Sequence, residues 1–364
     1  MRTDDVVIVG AGVIGLVSAL FLAESGLAVR VLERGQIGQE ASWAGGGILS
    51  PLHPWRYLPE VRRLAAAGMA AYPELARSLL EHTGIDPEWQ ASGLLILEST
   101  DHPFPTDPVG FGAGEGQTWH LWDGVTAAAQ FPDFRLRHGQ RALWCPEVAQ
   151  VRNPRLLKAL HRRCQQLGVR FFPGTEVRAF VRDDAGKLRT IVTDQGEISS
   201  TRAIVTAGAW SRQLLVDAGL EFPIKPMRGQ MLLLQGEPGA LPSLLLHGPH
   251  YLVQRRDGLL LVGSSTEDVG FDKSSTVAIR EELLAFIHEF FPPARDYPVL
   301  RQWAGLRPGS PENRPFIGAV FDGSGLYIAS GHFRYGLTMA PATASILREQ
   351  ILGEPTRAPA VMPS

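Results

Sequence analysis

Residues 4–35, DDVVIVGAGVIGLVSALFLAESGLAVRVLERG, restrict this chain more than any other segment. Four apolar residues at 6–9 predict a buried strand, and Gly10, Gly12 and Gly15 then make a turn. An apolar run over 16–25 predicts a helix that Gly26 closes, and 28–32 predict a second strand leading to Glu33. That is the order of a nucleotide-binding βαβ unit. The first glycine allows the tight turn, the second lets a pyrophosphate approach the backbone, and the third lets helix and strand pack closely. The helix amino terminus offers unbonded N–H groups and a positive dipole end to the phosphates. Glu33, eighteen residues beyond Gly15, stands where a carboxylate accepts hydrogen bonds from a ribose hydroxyl, which favours NAD or FAD over NADP.

The apolar stretch over 6–23 is long enough to resemble a membrane span or the core of a signal peptide. The segment before it, MRTDD, is acidic rather than basic, and Gly10, Gly12 and Gly15 within the stretch would each cost about 1 kcal/mol inside a continuous helix. Strand, turn and helix is the better parse, and it predicts a soluble chain. At 364 residues there is room for two domains, or one large domain with insertions. The formal charge of −2, without sustained basic runs, leaves no electrostatic footprint for nucleic acid or an acidic membrane. Two cysteines, Cys145 and Cys164, are too few for a disulfide framework or a zinc site, which fits a reducing cytoplasm. No metal-ligand spacing, Ser–His–Asp series or carboxylate pair competes, so no metal is expected.

Beyond Glu33 comes RGQIGQEASWAGGGILSP, whose consecutive Gly45, Gly46 and Gly47 let backbone approach a flat ligand. NPRLLKALHRRCQQLGVRFFPGTEVRAFV predicts a helix from about 153, with Cys164 on its core side, then strands near Val169 and Val177. TRAIVTAGAWS reads as a strand entering a small-residue turn; GLYIASGHFRYGLTMAPATASILREQIL reads as strand, glycine-rich loop and closing helix. That helix opens near 336–338, where its positive end would stabilise negative charge on a reduced flavin ring.

Residues 51–146 and 222–300 leave this rhythm. PEVRRLAAAGMAAYPELARSLLEHTG is an amphipathic helical stretch, with Pro73 as a point where two helices would meet. The segment 98–118 is rich in Pro and Gly and predicts an irregular loop. HYLVQRRDGLLLVGSST predicts a hairpin turning at RRDG, and STVAIREELLAFIHEFFP a helix stopped by Pro292 and Pro293. The expected fold is α/β: a Rossmann-like domain for NAD or FAD, which the resemblance given next narrows to an FAD-binding domain, with an inserted mixed antiparallel-sheet substrate domain. The first comprises 1–50, 147–221 and 301–364; the second comprises 51–146 and 222–300.

In order along the chain, VVIVGAGVIGLVSALFLAESG, ASWAGGGIL, VTAGAWS, GLRPGSPENRPFIG and SGHFRYGLTMAPATA resemble the D-amino-acid oxidase family of flavoproteins. More narrowly, they resemble its bacterial glycine oxidases linked to thiamine biosynthesis. The resemblance covers nearly the whole chain. It implies FAD, held noncovalently, because the carboxy-terminal loop from Ser310 has no cysteine to bond the ring. The implied cofactor residues begin with Gly10, Gly12, Val13, Ile14 and Gly15, followed by Glu33 and Arg34. Ser42, Ala44, Gly45, Gly46 and Gly47 continue them, then Val177, Ala207, Gly208 and Trp210. His332, Phe333, Arg334, Gly336, Leu337 and Thr338 close the set.

For the substrate, the resemblance implies that Arg307 binds a carboxylate, a role suited to its permanent charge and bidentate fork. Tyr251 would add a phenolic hydrogen bond, Arg334 a second cation, and Ile48 an apolar wall that favours small substrates. The implied reaction is oxidative deamination of glycine, sarcosine or a small D-amino acid. Hydride passes from Cα to flavin N5; oxygen becomes hydrogen peroxide, and the hydrolysed imine gives an oxo acid such as glyoxylate with ammonia or a primary amine. No side-chain base is needed, so no catalytic side chain is expected; His247, His250 and His332 are read as pocket-wall residues. Two other functions stay open at this point: a D-amino-acid dehydrogenase with a quinone acceptor, and a noncatalytic nucleotide sensor. The first is weakened by the lack of a basic amphipathic helix or apolar tail, the second by the Arg307, Tyr251 and Arg334 set. Relatives imply a cytoplasmic homotetramer whose partners are a small amino acid and oxygen.

Overall fold

The structure is a computed structural model that describes residues 4–110 and 116–355. Its first layer grows from Val6–Val9, where four buried apolar residues leave both faces of the strand to be covered. Val29–Glu33 and Ala203–Val205 pair with it in parallel on either side. Arg170–Pro173 and Leu326–Ser330 extend the sheet in parallel, and Phe316–Ala319 closes one edge antiparallel, giving six strands. The alternation of the strand decides what covers each face. Val6 and Ile8 join a core with the helices Val13–Glu24, Pro59–Thr83, Asn153–Gln166 and Gly336–Leu352. Val7 and Val9 turn to Phe180, Ile191 and Leu215, from an antiparallel three-stranded sheet and the short helix Ser211–Val216. Segment 98–118 holds no α-helix or strand among its described residues beyond an isolated bridge between Ser99 and His102.

The second layer is an eight-stranded mixed sheet, mostly antiparallel, with Leu244–His247 running parallel to Leu94–Leu97. Again the period of two sorts the residues. Leu252, Leu260 and Val262 pack under the helix Val277–Phe290 in one core, while Tyr251 and Val253 face the first sheet. The RRDG turn joins His250–Gln254 to Leu259–Gly263, as the hairpin reading expected.

Three expectations differ from what is observed. The opening helix starts at Val13 rather than Leu16, because Gly12 is extended and serves as its N-cap. Pro73 does not divide its helix: Pro59–Thr83 is continuous, and Leu64, Gly68, Tyr72, Leu75 and Leu79 form one buried stripe across the proline. Packing along that stripe outweighs the hydrogen bond lost at Pro73. Residues 301–309, expected with the nucleotide unit, belong to Val299–Gly309, which pairs along its length with Lys225–Gln235 in the second sheet. No helix among the described residues is long and apolar enough to cross a membrane.

Candidate active site

A cavity of about 500 Å³ runs between the two sheets, from Glu33 at one end to Arg334 at the other. At the first end Gly10 has φ +107°, and a Cβ there would lie 2.6 Å from Thr206 O. Thr206 locks this turn from the neighbouring strand, its hydroxyl donating to Gly10 O (2.8 Å) and Val9 O (3.1 Å). Gly15 stands behind the wall: a Cβ there would overlap Gly10 O and come 2.8 Å from the Thr206 hydroxyl. The opening helix has no capping side chain on its N-cap residue, although Ser42 Oγ accepts from Val13 N at 2.9 Å. Glu33 is held at its strand end by Ala11 N (2.8 Å) and Gly35 N (2.9 Å), with the cavity beside it. Arg34 lies 3.8 Å above the Trp210 ring, and both line the same end.

The middle is floored by Gly45, Gly46 and Gly47. A Cβ on Gly46 would lie 2.6 Å from Cε2 of Tyr251, so the bare backbone makes room for that ring. Ile48 follows in the wall, and Asn153 Nδ2 fixes the preceding turn through Ser42 O at 2.8 Å.

At the far end two guanidinium groups converge. Arg307 lies on the strand Val299–Gly309, half-buried, where Nη2 donates to Ser264 Oγ (2.8 Å) and Nη1 to Ser265 O (3.1 Å). Gly229 on the paired strand leaves room, since a Cβ there would overlap the Arg307 guanidinium. Arg334, also half-buried, donates to Thr266 Oγ1 and lies 5.6 Å from the Phe333 ring. Among the described residues neither has a carboxylate within ion-pair distance. Burial, then the charge of Arg334, draws the Arg307 pKa down to about 10, so Arg307 stays cationic at neutral pH. The nearest acid on this segment, Glu267, is occupied by Arg228 (2.6 Å), Ser265 and Gln230. Two half-buried cations, with no carboxylate partner among the described residues, make this end a receptor for an anion.

The helix Gly336–Leu352 opens beside them with no side-chain cap, so its positive end faces the cavity at Gly336 and Leu337. Burial holds His332 near pKa 3 and therefore neutral, and it bonds Thr343 Oγ1 at 3.0 Å. His250 pairs with Glu282 at 2.8 Å and His247 packs on Phe290, both away from the cavity lining.

Of the residues singled out from sequence for cofactor or substrate, Gly15, Ala44 and Thr338 do not line the cavity and the others do; His247 and His250, read as pocket-wall residues, do not. Ala44 O instead accepts from Trp303 Nε1, and Thr338 Oγ1 donates to Ile48 O. Neither cysteine is in the lining; both are buried, and burial raises both thiol pKa values to about 12. Sequence reading did not single out Ser264, Thr266, Gly229 or Tyr335. A signal existed for the first two, since hydroxyls directly after the buried LLLVG strand mark where its end meets a polar site.

The glycine cradle, the two helix amino termini and the carboxylate at Glu33 fit a dinucleotide with an attached flat ring. Residues 5–350 match the family described as FAD dependent oxidoreductase. The chain is 42% identical to the glycine oxidase of Pseudomonas aeruginosa over 360 residues, 98% of each chain. It is 32% identical to the bifunctional protein ThiO/ThiG of Synechocystis sp., over 97% of this chain and 52% of that one. Among solved structures, glycine oxidase from Geobacillus kaustophilus superposes over 100% of both chains with a TM-score of 0.92 at 24% identity, which speaks for the fold.

Proposed function

This chain belongs to the FAD dependent oxidoreductase family, and from that premise we propose that it is a glycine oxidase acting in thiamine biosynthesis. Glycine, with sarcosine and small D-amino acids, is oxidised to an oxo acid, ammonia or a primary amine, and hydrogen peroxide. The observation that carries the substrate class is the pair Arg307 and Arg334, cations that both line the cavity without a carboxylate partner among the described residues.

Arg307 binds the substrate carboxylate as a fork, already oriented by Ser264 and Ser265, so little ordering cost remains at binding. Hydrogen bonds to a charged group contribute about 1.5–3 kcal/mol each. Tyr251 supplies a hydroxyl, and Arg334 a second positive charge held by Thr266. Ile48 fills the space where a large side chain would project. When bound, FAD supplies the two-electron acceptor: a hydride leaves Cα as the imine forms, and oxygen takes the electrons as peroxide. The amino terminus of Gly336–Leu352 supports the negative charge that develops nearby. With its pKa held near 3 by burial and its Nε2 bonded to Thr343, His332 is too weak a base to take an ammonium proton, so it does not deprotonate the substrate amine.

The test is the visible spectrum of the purified protein under anaerobic conditions, before and after glycine. A yellow protein that bleaches with glycine and recovers in air with release of peroxide supports the reading. A yellow protein that responds only to a larger D-amino acid moves the substrate. A colourless protein that takes up no FAD overturns the reading. We also propose a homotetramer located in the cytoplasm, the former measured by light scattering after gel filtration.

A further inference from the structure

Arg255 is a buried cation, 5% exposed, and no carboxylate reaches it among the described residues. Its Nη1 donates to Gln150 Oε1 and to Val151 O, each at 2.8 Å, and its Nη2 donates to Gly46 O at 2.9 Å. All three acceptors are neutral. The adjacent Arg152 and Arg256 are paired conventionally, with Asp257 and Asp86 at 2.7 Å. Taking a charge from water without a counter-ion costs several kcal/mol even after relaxation, so such a residue requires a reason.

Its position supplies one. Tyr251 faces the cavity from the strand His250–Gln254, and the period of two brings Val253 and then Arg255 to the same side. Gly46 therefore lies between the Tyr251 ring, against its α-carbon, and the Arg255 guanidinium, on its carbonyl. Gly47 is at φ +78°, its carbonyl accepting from Val151 N (2.9 Å), and a Cβ there would stand 3.0 Å from Arg255 Nη2. One guanidinium, itself outside the cavity lining, thus ties the glycine strip to residues 150–151.

We infer that Arg255 is a positioning residue for the FAD, fixing the strip of Gly45, Gly46 and Gly47 and placing a permanent positive charge behind it. Gly45, Gly46 and Gly47 line the cavity and carry no side chain to separate that charge from a ligand lying on them. A fixed cation in a low-dielectric setting favours the added negative charge of the reduced cofactor. Burial draws the Arg255 pKa down to about 10, which leaves it charged at neutral pH. The inference rests on the FAD reading given above.

The experiment compares the native protein with Arg255→Met and Arg255→Lys, measuring FAD dissociation from the apoprotein by fluorescence and the reduction potential by dye equilibration. In Arg255→Met the FAD Kd is expected to rise at least about tenfold. The potential is expected to fall by about 30 mV, a tenfold change for a two-electron couple. Arg255→Lys keeps the charge but lacks the fork, so it recovers most of the potential while Kd stays raised. Native Kd and native potential in Arg255→Met overturn the inference and leave the FAD reading standing. If Arg255→Met does not fold, a native Kd in Arg255→Lys overturns it. A native protein that binds no FAD overturns both.

Discussion

The nucleotide end of the cavity is built from backbone, whereas the substrate end is built from side chains. At the first, recognition falls to a turn at Gly10, a bare helix terminus and one carboxylate, all within residues 4–35. At the second, Arg307 comes from the strand Val299–Gly309, Tyr251 from His250–Gln254, and Arg334 from the loop before the last helix. Backbone recognition depends on the absence of atoms and fails by collision. Side-chain recognition depends on aimed charges and fails by degrees, so substitutions at the two ends should differ in kind as well as size.

The largest effect is expected at Gly15. Valine there would overlap Gly10 O and crowd the Thr206 hydroxyl, both part of the turn itself. Overpacking of about 2–3 kcal/mol corresponds to roughly a hundredfold loss of FAD affinity. The Gly15→Val protein should purify colourless with a native circular-dichroism spectrum. Retained yellow colour would break the comparison at its stronger side.

Next comes Arg307→Lys, which should leave the flavin spectrum and FAD Kd unchanged. Losing the fork should raise KM for glycine, and Ki for simple carboxylate inhibitors, by roughly 10–100-fold, the equivalent of one charged hydrogen bond. Steady-state kinetics with both ligands checks this, and unchanged values for both would remove Arg307 from carboxylate binding. Thr266→Val tests the same end more gently. It deletes the hydroxyl that holds Arg334, worth about 1 kcal/mol, and should raise KM about fivefold, with recovery in Thr266→Ser.

The contrast also explains what could be read from the sequence. The first strand, its glycines, the helix and Glu33 are legible because local geometry dictates them, and the groups that hold Glu33, Ala11 N and Gly35 N, lie in the same segment. Cys164 as a core thiol and the RRDG hairpin were legible for the same reason. Placing Arg307 and Tyr251 needed the family resemblance, since nothing local distinguishes a substrate cation from a surface one. What aims them was not legible at all. Gly229 matters only because the register sets it under Arg307, and Arg255 only because Gly46 lies across its fork. Pro73 misled because a local rule was applied where tertiary packing along 59–83 decides.

His332 lines the cavity but its Nε2 is turned to Thr343, and its substitution should have the smallest effect at neutral pH. It is 1% exposed, bonded to Thr343 Oγ1, and burial lowers its pKa from 6.5 to about 3. The unfolded chain takes up this proton near 6.5, while the folded chain resists it until about 3. Between those values the unfolded state binds more protons, so stability is complete above 6.5 and lost as pH falls through the window. His53 adds the same sign, lowered to about 4, chiefly by burial. Replacing His332 with Asn removes one of these two protons. Plots of Tm against pH for the holoprotein should therefore lie close together at pH 7, with the native curve falling more steeply toward pH 4. Parallel curves would show that His332 does not carry the acid limb, leaving His53 as the group to test.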